Sequence, residues 1–587
     1  MTPVDQKEAL IQQRLAEERD RLAAELGIEE SGPTHFHRPV EREFTKQQRG
    51  STTVLYGGLT LKHELLIQAA LEGQGYKCEP LPVPDVRAFQ LGKEYGNNGQ
   101  CNPTYFTVGN LVQHLQRLEE DGLARERILD DYVFITAGAC GPCRFGMYEA
   151  EYRLALRNSG FDGFRVLLFQ QGGGLTQSGA EAGIEMNADF FLGLLNAMNM
   201  GDLLNDVGYQ IRPFEVEQGA VDAAMADGMD LLRQVLRGHE PFQIERSWAR
   251  FLKGLPKLGG LAEPAGKFID QFKSDEYTAA LAQVRDRLAE VRLDRTRVKP
   301  IVKITGEFWA QTTEGDGNFN MFPFLEREGA QVVVEPVGTW IMYMIHQAKQ
   351  KMMDERGTRE GEELPSSWRL DQRMANDMRA RKRAAKLTVA EKAFEREWNR
   401  FRAALNDIPH PLTDQYELQR LGHPLYNSRA GGGEGHLEVA KNIYYSNKDL
   451  CHMVLSLKPF GCMPSTQSDG VQSAVVNLYK DIIYLPIETS GEGEINAHSR
   501  VQMALGEAKA KTKGEAERVQ EHTGLTFEQV REYAADHPHM ESAMYHVPHA
   551  KGWVSTAANF NVHVAELWAA ERKGRAAITR EVAEARS

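Results

Sequence analysis

Six cysteines occur in 587 residues, and two of them share one tight turn, Cys140-Gly141-Pro142-Cys143. The turn lies between a short apolar run at 132–135 and a helix-like stretch at 145–156. Free N–H groups at a helix start favour a thiolate, so this is a place for metal–sulfur or disulfide chemistry. Two further thiols occupy similar turns, where Cys101-Asn102-Pro103 and Cys462-Met463-Pro464 each open a helix-like stretch. Cys78 falls inside an expected strand and Cys451 inside an expected helix. Both positions suit a small buried hydrophobe.

Three chemistries compete for Cys101, Cys140, Cys143 and Cys462. The first is a [4Fe–4S] cluster, because iron is thiophilic and the cluster takes one sulfur ligand per iron. The second is a tetra-cysteine zinc site, although such sites usually pair two closely spaced motifs in a small domain. The third is a thioredoxin-like dithiol at Cys140 and Cys143, whose preceding residues Thr136-Ala137-Gly138-Ala139 lack the tryptophan of that motif. The plain alternative is four incidental cysteines.

These turns need strands and helices to hold them. Apolar runs at 53–56, 76–81, 131–136 and 165–169 alternate with helical patterns. That alternation predicts a mainly parallel, Rossmann-like lobe over residues 47–180. Within it, 82–95 reads as irregular, and Gly, Asn and Pro mark the stretch before the next helix. Residues 181–297 read as a helical bridge of mixed charge. A second Rossmann-like lobe spans 298–545, with strands at 300–304, 331–335 and 482–487 and a helix carried through 455. Its segment 344–405 is a charged helical insertion, read as a solvated hairpin. Residues 1–46 read as a charged helix and linker, and 546–587 as a helical tail. His35 and His37 in the linker read as solvated.

The two lobes echo each other, which suggests an internal duplication. The Cys462 turn is matched with the Cys101 turn, and YLPIETSGEG with YVFITAGACG. The expected class is therefore α/β, with two related lobes, a helical bridge and a helical insertion. Loops at the carboxyl ends of parallel strands line the ligand crevice. Cys101, Cys140, Cys143 and Cys462 all fall on such loops, three from the first lobe and one from the second.

Other residues on these loops are candidates. Gly431, Gly432 and Gly433 with Glu434 and His436 form a turn able to cradle a phosphate or thioester, or simply a turn. Glu314, Asp316 and Glu492 are candidates for acid–base work, against the ordinary reading of solvated acidic turns. His498 is a candidate proton donor, or a helix-cap or core histidine, and Arg144 a candidate for balancing charge beside the cysteine pair.

The composition is that of a globular chain, 42% hydrophobic and 26% charged. A formal charge of −13 and the lack of a basic, aromatic-interleaved stripe argue against a nucleic-acid binder. No apolar run approaches the roughly 20 residues of a membrane span. The charged start MTPVDQKEAL does not read as a secretory signal. Few, scattered cysteines then point to a reducing cytoplasm.

Taken together, GQCNPTYFTVGNL, ACGPCRFGMYEAEYRLAL, ITGEFWAQTTEGDGN, GGEGHLEVAK, KPFGCMP and ETSGEGEINAHSRVQ resemble the 2-hydroxyacyl-CoA dehydratase/benzoyl-CoA reductase superfamily, in its activase-related branch. The resemblance covers most of residues 50–510. It implies two Rossmann-like lobes, an iron–sulfur cluster held by cysteines from both, and an acyl-CoA-like substrate. It also implies an ATP-dependent activase partner of the actin/Hsp70-like fold, and leaves oligomerisation open. The implied cluster ligands are Cys101, Cys140, Cys143 and Cys462. The chain departs from fused relatives in lacking the glycine-rich phosphate loop of the ATPase. Four cysteine ligands would also fill positions that true dehydratases leave open to substrate.

Overall fold

The computed structural model describes residues 42–138, 143–170, 174–175, 182–241, 256–355, 370–479 and 481–584, with residues 14, 18 and 21. Cys140, most of the expected N-terminal helix and the linker histidines lie outside the described residues. The chain divides into a leading unit, residues 1–42, and a large unit, residues 43–587, that carries both sheets.

The first sheet contains β1 (Thr53–Tyr56), β2 (Lys77–Pro80), β3 (Tyr132–Gly138), β4 (Arg165–Gln170) and β5 (Gly174–Leu175), ordered β2-β1-β3-β4-β5. The first four strands are parallel, and β5 turns back antiparallel on β4. The second sheet contains β6 (Ile301–Gly306), β7 (Gln331–Val333), β8 (Met453–Pro459) and β9 (Ile483–Thr489), all parallel and ordered β7-β6-β8-β9. The protein is thus mixed α/β, with the same order of parallel strands in both sheets.

Alternate residues of a strand face opposite sides of a sheet. In the first sheet Val54, Tyr56 and Val133 pack on one side, beneath the helices Leu61–Gly73 and Ala188–Ile211. Leu55, Phe134 and Val166 pack on the other, against the helices Asn102–Glu120 and Tyr148–Asn158. In the second sheet Val302, Ile304, Leu455 and Leu457 pack against Met321–Arg327 and Glu494–Thr523.

Several sequence expectations change. The stretch expected as a helix through 455 instead runs into β8, a strand buried at every position that also takes in the start of the expected turn. Cys451 therefore lies just before a strand, buried, and not inside a helix. The segment read as irregular contains the helix Val86–Tyr95, started by the Asp85 carboxylate accepting from the Ala88 N–H at 2.8 Å. The insertion holds the helices Val337–Asp354 and Leu370–Ala404, and the end of the second is not solvated. Trp398 and Phe401 are buried in the core over the first sheet. Sheet position also moves the echo by one strand. Cys462 follows β8 as Cys143 follows β3, each the third strand of its sheet in chain order.

Candidate functional site: three thiols at the carboxyl ends of two sheets

Where strand order reverses, the helices after neighbouring strands leave on opposite faces and open a crevice. In the second sheet that point lies between β6 and β8. Glu307 follows β6, and Cys462 follows β8. In the first sheet Cys143 follows β3.

Backbone contacts bring these loops together. The Asn102 N–H donates to the Phe460 carbonyl at 3.0 Å. The Asn102 side-chain amide donates to the Thr489 carbonyl at the end of β9. A Cβ on Gly461 would stand 3.1 Å from the Gln100 carbonyl oxygen and 3.2 Å from the Cys101 Cα, a tight approach, and its φ of +77° favours glycine. A Cβ on Gly433 would lie 2.4 Å from Pro464 and 3.8 Å from the Cys143 Cβ. The Cys101, Cys143 and Cys462 turns are therefore neighbours, although two belong to one sheet and one to the other.

Each of the three cysteines is the N-cap of a helix: Cys101 of Asn102–Glu120, Cys143 of the short turn Arg144–Met147 and Cys462 of Met463–Leu478. None of the three thiols caps its own helix by a side-chain hydrogen bond. The Cys101 sulfur sits 3.2 Å from both the Thr104 hydroxyl and the Tyr148 hydroxyl. All three thiols are free.

The electrostatics of the site is acidic. Burial pushes the Cys143 thiol up to about 12, and the Glu434 carboxyl adds to the rise. Burial also raises Cys101 and Cys462, and Glu307 contributes to the rise in all three thiols. Glu307 and Glu434 are themselves raised, by burial first and then by nearby carboxyls, Glu438 acting on both. The thiols are thus held neutral until positive charge arrives. A dithiol nucleophile needs the opposite, a thiol pulled down by cations.

The donor set fits a thiophilic metal, since soft sulfur selects zinc, copper(I) or iron–sulfur clusters. Among the described residues no group of three or more His, Cys, Asp or Glu side chains is already arranged to hold a metal ion. The fourth expected ligand, Cys140, lies outside those residues.

The other sequence candidates divide between the crevice and elsewhere. Arg144 donates to the Gly99 carbonyl and ties the Cys143 turn to the loop before Cys101. Gly432 and Gly433 take positive φ, 95° and 86°, and lead into Glu434, the N-cap of the helix Gly435–Asn447. Gly431 has open space around it. His436 is buried with neither ring nitrogen bonded, and burial pushes it down to about 4. Glu314 instead accepts from the Leu61 N–H at 3.0 Å, and Asp316 from the Val86 N–H at 2.9 Å. Both serve helix starts of the first lobe. Glu492 is exposed. His498 donates from Nε2 to the Phe319 carbonyl at 2.7 Å and stacks on Phe324 at 3.8 Å.

Sequence reasoning missed Glu307, Tyr148 and Glu438. Glu307 had a readable signal, since it directly follows the apolar run IVKITG. Glu438 is found only in three dimensions, where it accepts from Ser465 at 2.8 Å and from Ser468, with the Lys458 ammonium at 3.6 Å. Behind it Lys303, fully buried, pairs with Glu335 at 2.8 Å. Burial would raise Glu335, but Lys303 and Lys441 outweigh it and hold the carboxyl well below the usual range.

No family model matches the chain, and no curated protein matches it. No helix among the described residues is long and apolar enough to cross a membrane.

Proposed function

We propose that the chain is an iron–sulfur protein of the 2-hydroxyacyl-CoA dehydratase/benzoyl-CoA reductase type. In this reading it accepts a low-potential electron from an ATP-dependent activase and passes it to an acyl-CoA-like substrate or to a partner. The observation that carries the reading is the meeting of Cys101, Cys143 and Cys462, each at a helix start, across the carboxyl ends of both sheets. Cys140, three residues before Cys143 in sequence, would complete the set. The common strand order supports two Rossmann-like lobes of duplicated origin.

A bound [4Fe–4S] cluster supplies one-electron transfer at a potential set by its charge, hydrogen bonds and exposure. The chain's own residues would set those terms. Helix starts at the three cysteines offer N–H dipoles to sulfur. The Tyr148 and Thr104 hydroxyls are within reach of the Cys101 sulfur. Glu307 and Glu434 add negative charge when ionised, which disfavours adding an electron and so lowers the potential.

A second reading, a relay or maturation scaffold without turnover of its own, is favoured by the four-thiol set, which would leave no metal position for substrate. Anoxic purification with iron and sulfide analysis, followed by EPR of the reduced protein, tests the shared core of both readings. The expected result is about four irons and four sulfides per chain. A colourless protein that contains zinc, or neither metal, overturns it. Cys462→Ser should lose most of the iron although the other three thiols remain. Steady turnover of an acyl-CoA with an activase would exclude the scaffold.

A further inference from the structure

The opposite edge of the second sheet holds a separate feature. A cavity of about 400 Å³ opens at the amino-terminal ends of β6 and β7. It is large enough for a small molecule. Its walls come from the loop after the helix Leu370–Ala404, from the segment before β8 and from residues 543–559.

Two groups in that wall offer donors to an anion. Arg295 is 6% exposed, and its guanidinium donates to the backbone carbonyls of Met540, Ser542, Ala543 and Tyr545. No carboxylate pairs with it among the described residues, and the neighbouring Tyr545 phenol, raised by burial, supplies no negative charge. A buried cation without a counter-ion is costly unless something supplies the charge. His410 is the second group. Its Nδ1 is held by Asp206 at 2.9 Å, and the Asp206 carboxylate also accepts from the His410 N–H at 2.6 Å. Burial would lower the ring, but the Asp206 carboxylate outweighs it and raises it, so the imidazolium presents an Nε2–H without a partner among the described residues, and 48% of the side chain is accessible. Of the acids in the wall, Asp407 is paired with Arg402 at 3.2 Å, and Asp449 lies beside His549. Much of the remaining surface is apolar, including Ile408, Leu450 and Val547.

We propose that this cavity binds a small organic acid, its carboxylate answering Arg295 and the free Nε2 of His410, its body lying against the apolar wall. An apolar lining with a few convergent polar groups is what such ligands use. The site is independent of the thiol crevice, so its failure would leave the iron–sulfur reading untouched.

The test is isothermal titration of the full chain with phenylacetate, hexanoate, their primary amides and inorganic phosphate. At least one carboxylate should bind saturably. Its amide should bind about tenfold more weakly or worse, the scale of one charge-assisted hydrogen bond. His410→Gln should weaken the carboxylate by a similar factor, with a circular dichroism spectrum that shows the fold kept, whereas Cys462→Ser should leave binding intact. Arg295 is a poor first target because it ties four carbonyls, so His410 carries the test. The proposal fails if no carboxylate saturates, if amides bind equally, if phosphate alone binds, or if folded His410→Gln binds like the parent.

Discussion

The two sheets share a strand order but not a filling. The first is largely apolar on both faces, with Val54 and Tyr56 on one side and Leu55, Phe134 and Val166 on the other, and Arg165 as a buried charge at the start of β4. The second is apolar along the whole of one face, whereas the other starts with the apolar patch of Ile301, Val333 and Val454 and then turns polar. Its other face buries Lys303, Thr305, Ser456 and Lys458, none more than 4% exposed. Lys303 meets Glu335, which Lys441 also approaches, and Lys458 meets Glu438, near the helix that begins beside Glu434. The same backbone plan therefore yields one lobe built as an oily support and one built as a charged support. The acidic side of the thiol crevice, Glu307, Glu434 and Glu438, belongs to the charged lobe.

The comparison breaks most sharply at Lys303. Lys303→Met would leave Glu335 short of its closest cation in a dry interior. Removing one partner of a buried pair costs about 4 kcal/mol. Adding Glu335→Gln should restore part of the loss, because it removes the stranded charge while keeping an oxygen for the Thr339, Thr413 and Tyr445 hydroxyls. In the first sheet Leu55→Ala should cost about 3 kcal/mol as a cavity, with no charge removal able to rescue it. Urea midpoints measure both. A double variant no more stable than Lys303→Met would show that the charged face is not a paired unit.

The acids near the first strand of each sheet sharpen the contrast further. Glu64 accepts from the Gly58 and Leu59 N–H groups at 2.8 and 3.1 Å, close after β1. Burial raises it to about 8 from 4.5. The folded chain keeps this proton between pH 4.5 and about 8, where the unfolded chain has released it. Stability is therefore fullest below pH 4.5 and falls as pH rises through that window. Glu64→Gln removes this loss. The variant should match the parent near pH 4.5 and exceed it by a margin that widens with pH and levels off above about pH 8. A gain that is constant with pH would mean the carboxyl is not held protonated.

Much of this architecture was legible in the residues. The strands at 53–56 and 165–169 are short apolar runs between turn signals, and the cysteine turns announce helix starts by their Pro or Gly. β8 was not legible, because a strand buried on both faces has no alternation and reads like a buried helix. Val86–Tyr95 was hidden by the three prolines just before it. Losing β8 also displaced the echo between lobes, and so hid that Cys462 and Cys143 occupy equivalent strand ends. The charged face was out of reach for another reason. Lys303, Glu335 and Lys441 are far apart in the chain and meet only through the sheet and the helix above it.

The smallest effect concerns how the lobes are joined. Glu314 and Asp316 looked like acid–base residues, yet each accepts from the first N–H of a helix in the other lobe, Leu61 and Val86. An acid at a helix start in trans acts as a cap and as a partner for the dipole. Glu314→Gln and Asp316→Asn keep an acceptor oxygen but lose the charge. Each should cost about 0.5 kcal/mol, fading in high salt. Glu314→Ala and Asp316→Ala lose the acceptor as well and should cost about 1 kcal/mol each. If either acid worked on substrate, the amide variant would abolish turnover while leaving stability nearly unchanged. A stability loss that grows from amide to alanine, with turnover following stability, instead assigns both residues to the seam that holds the oily lobe against the charged one.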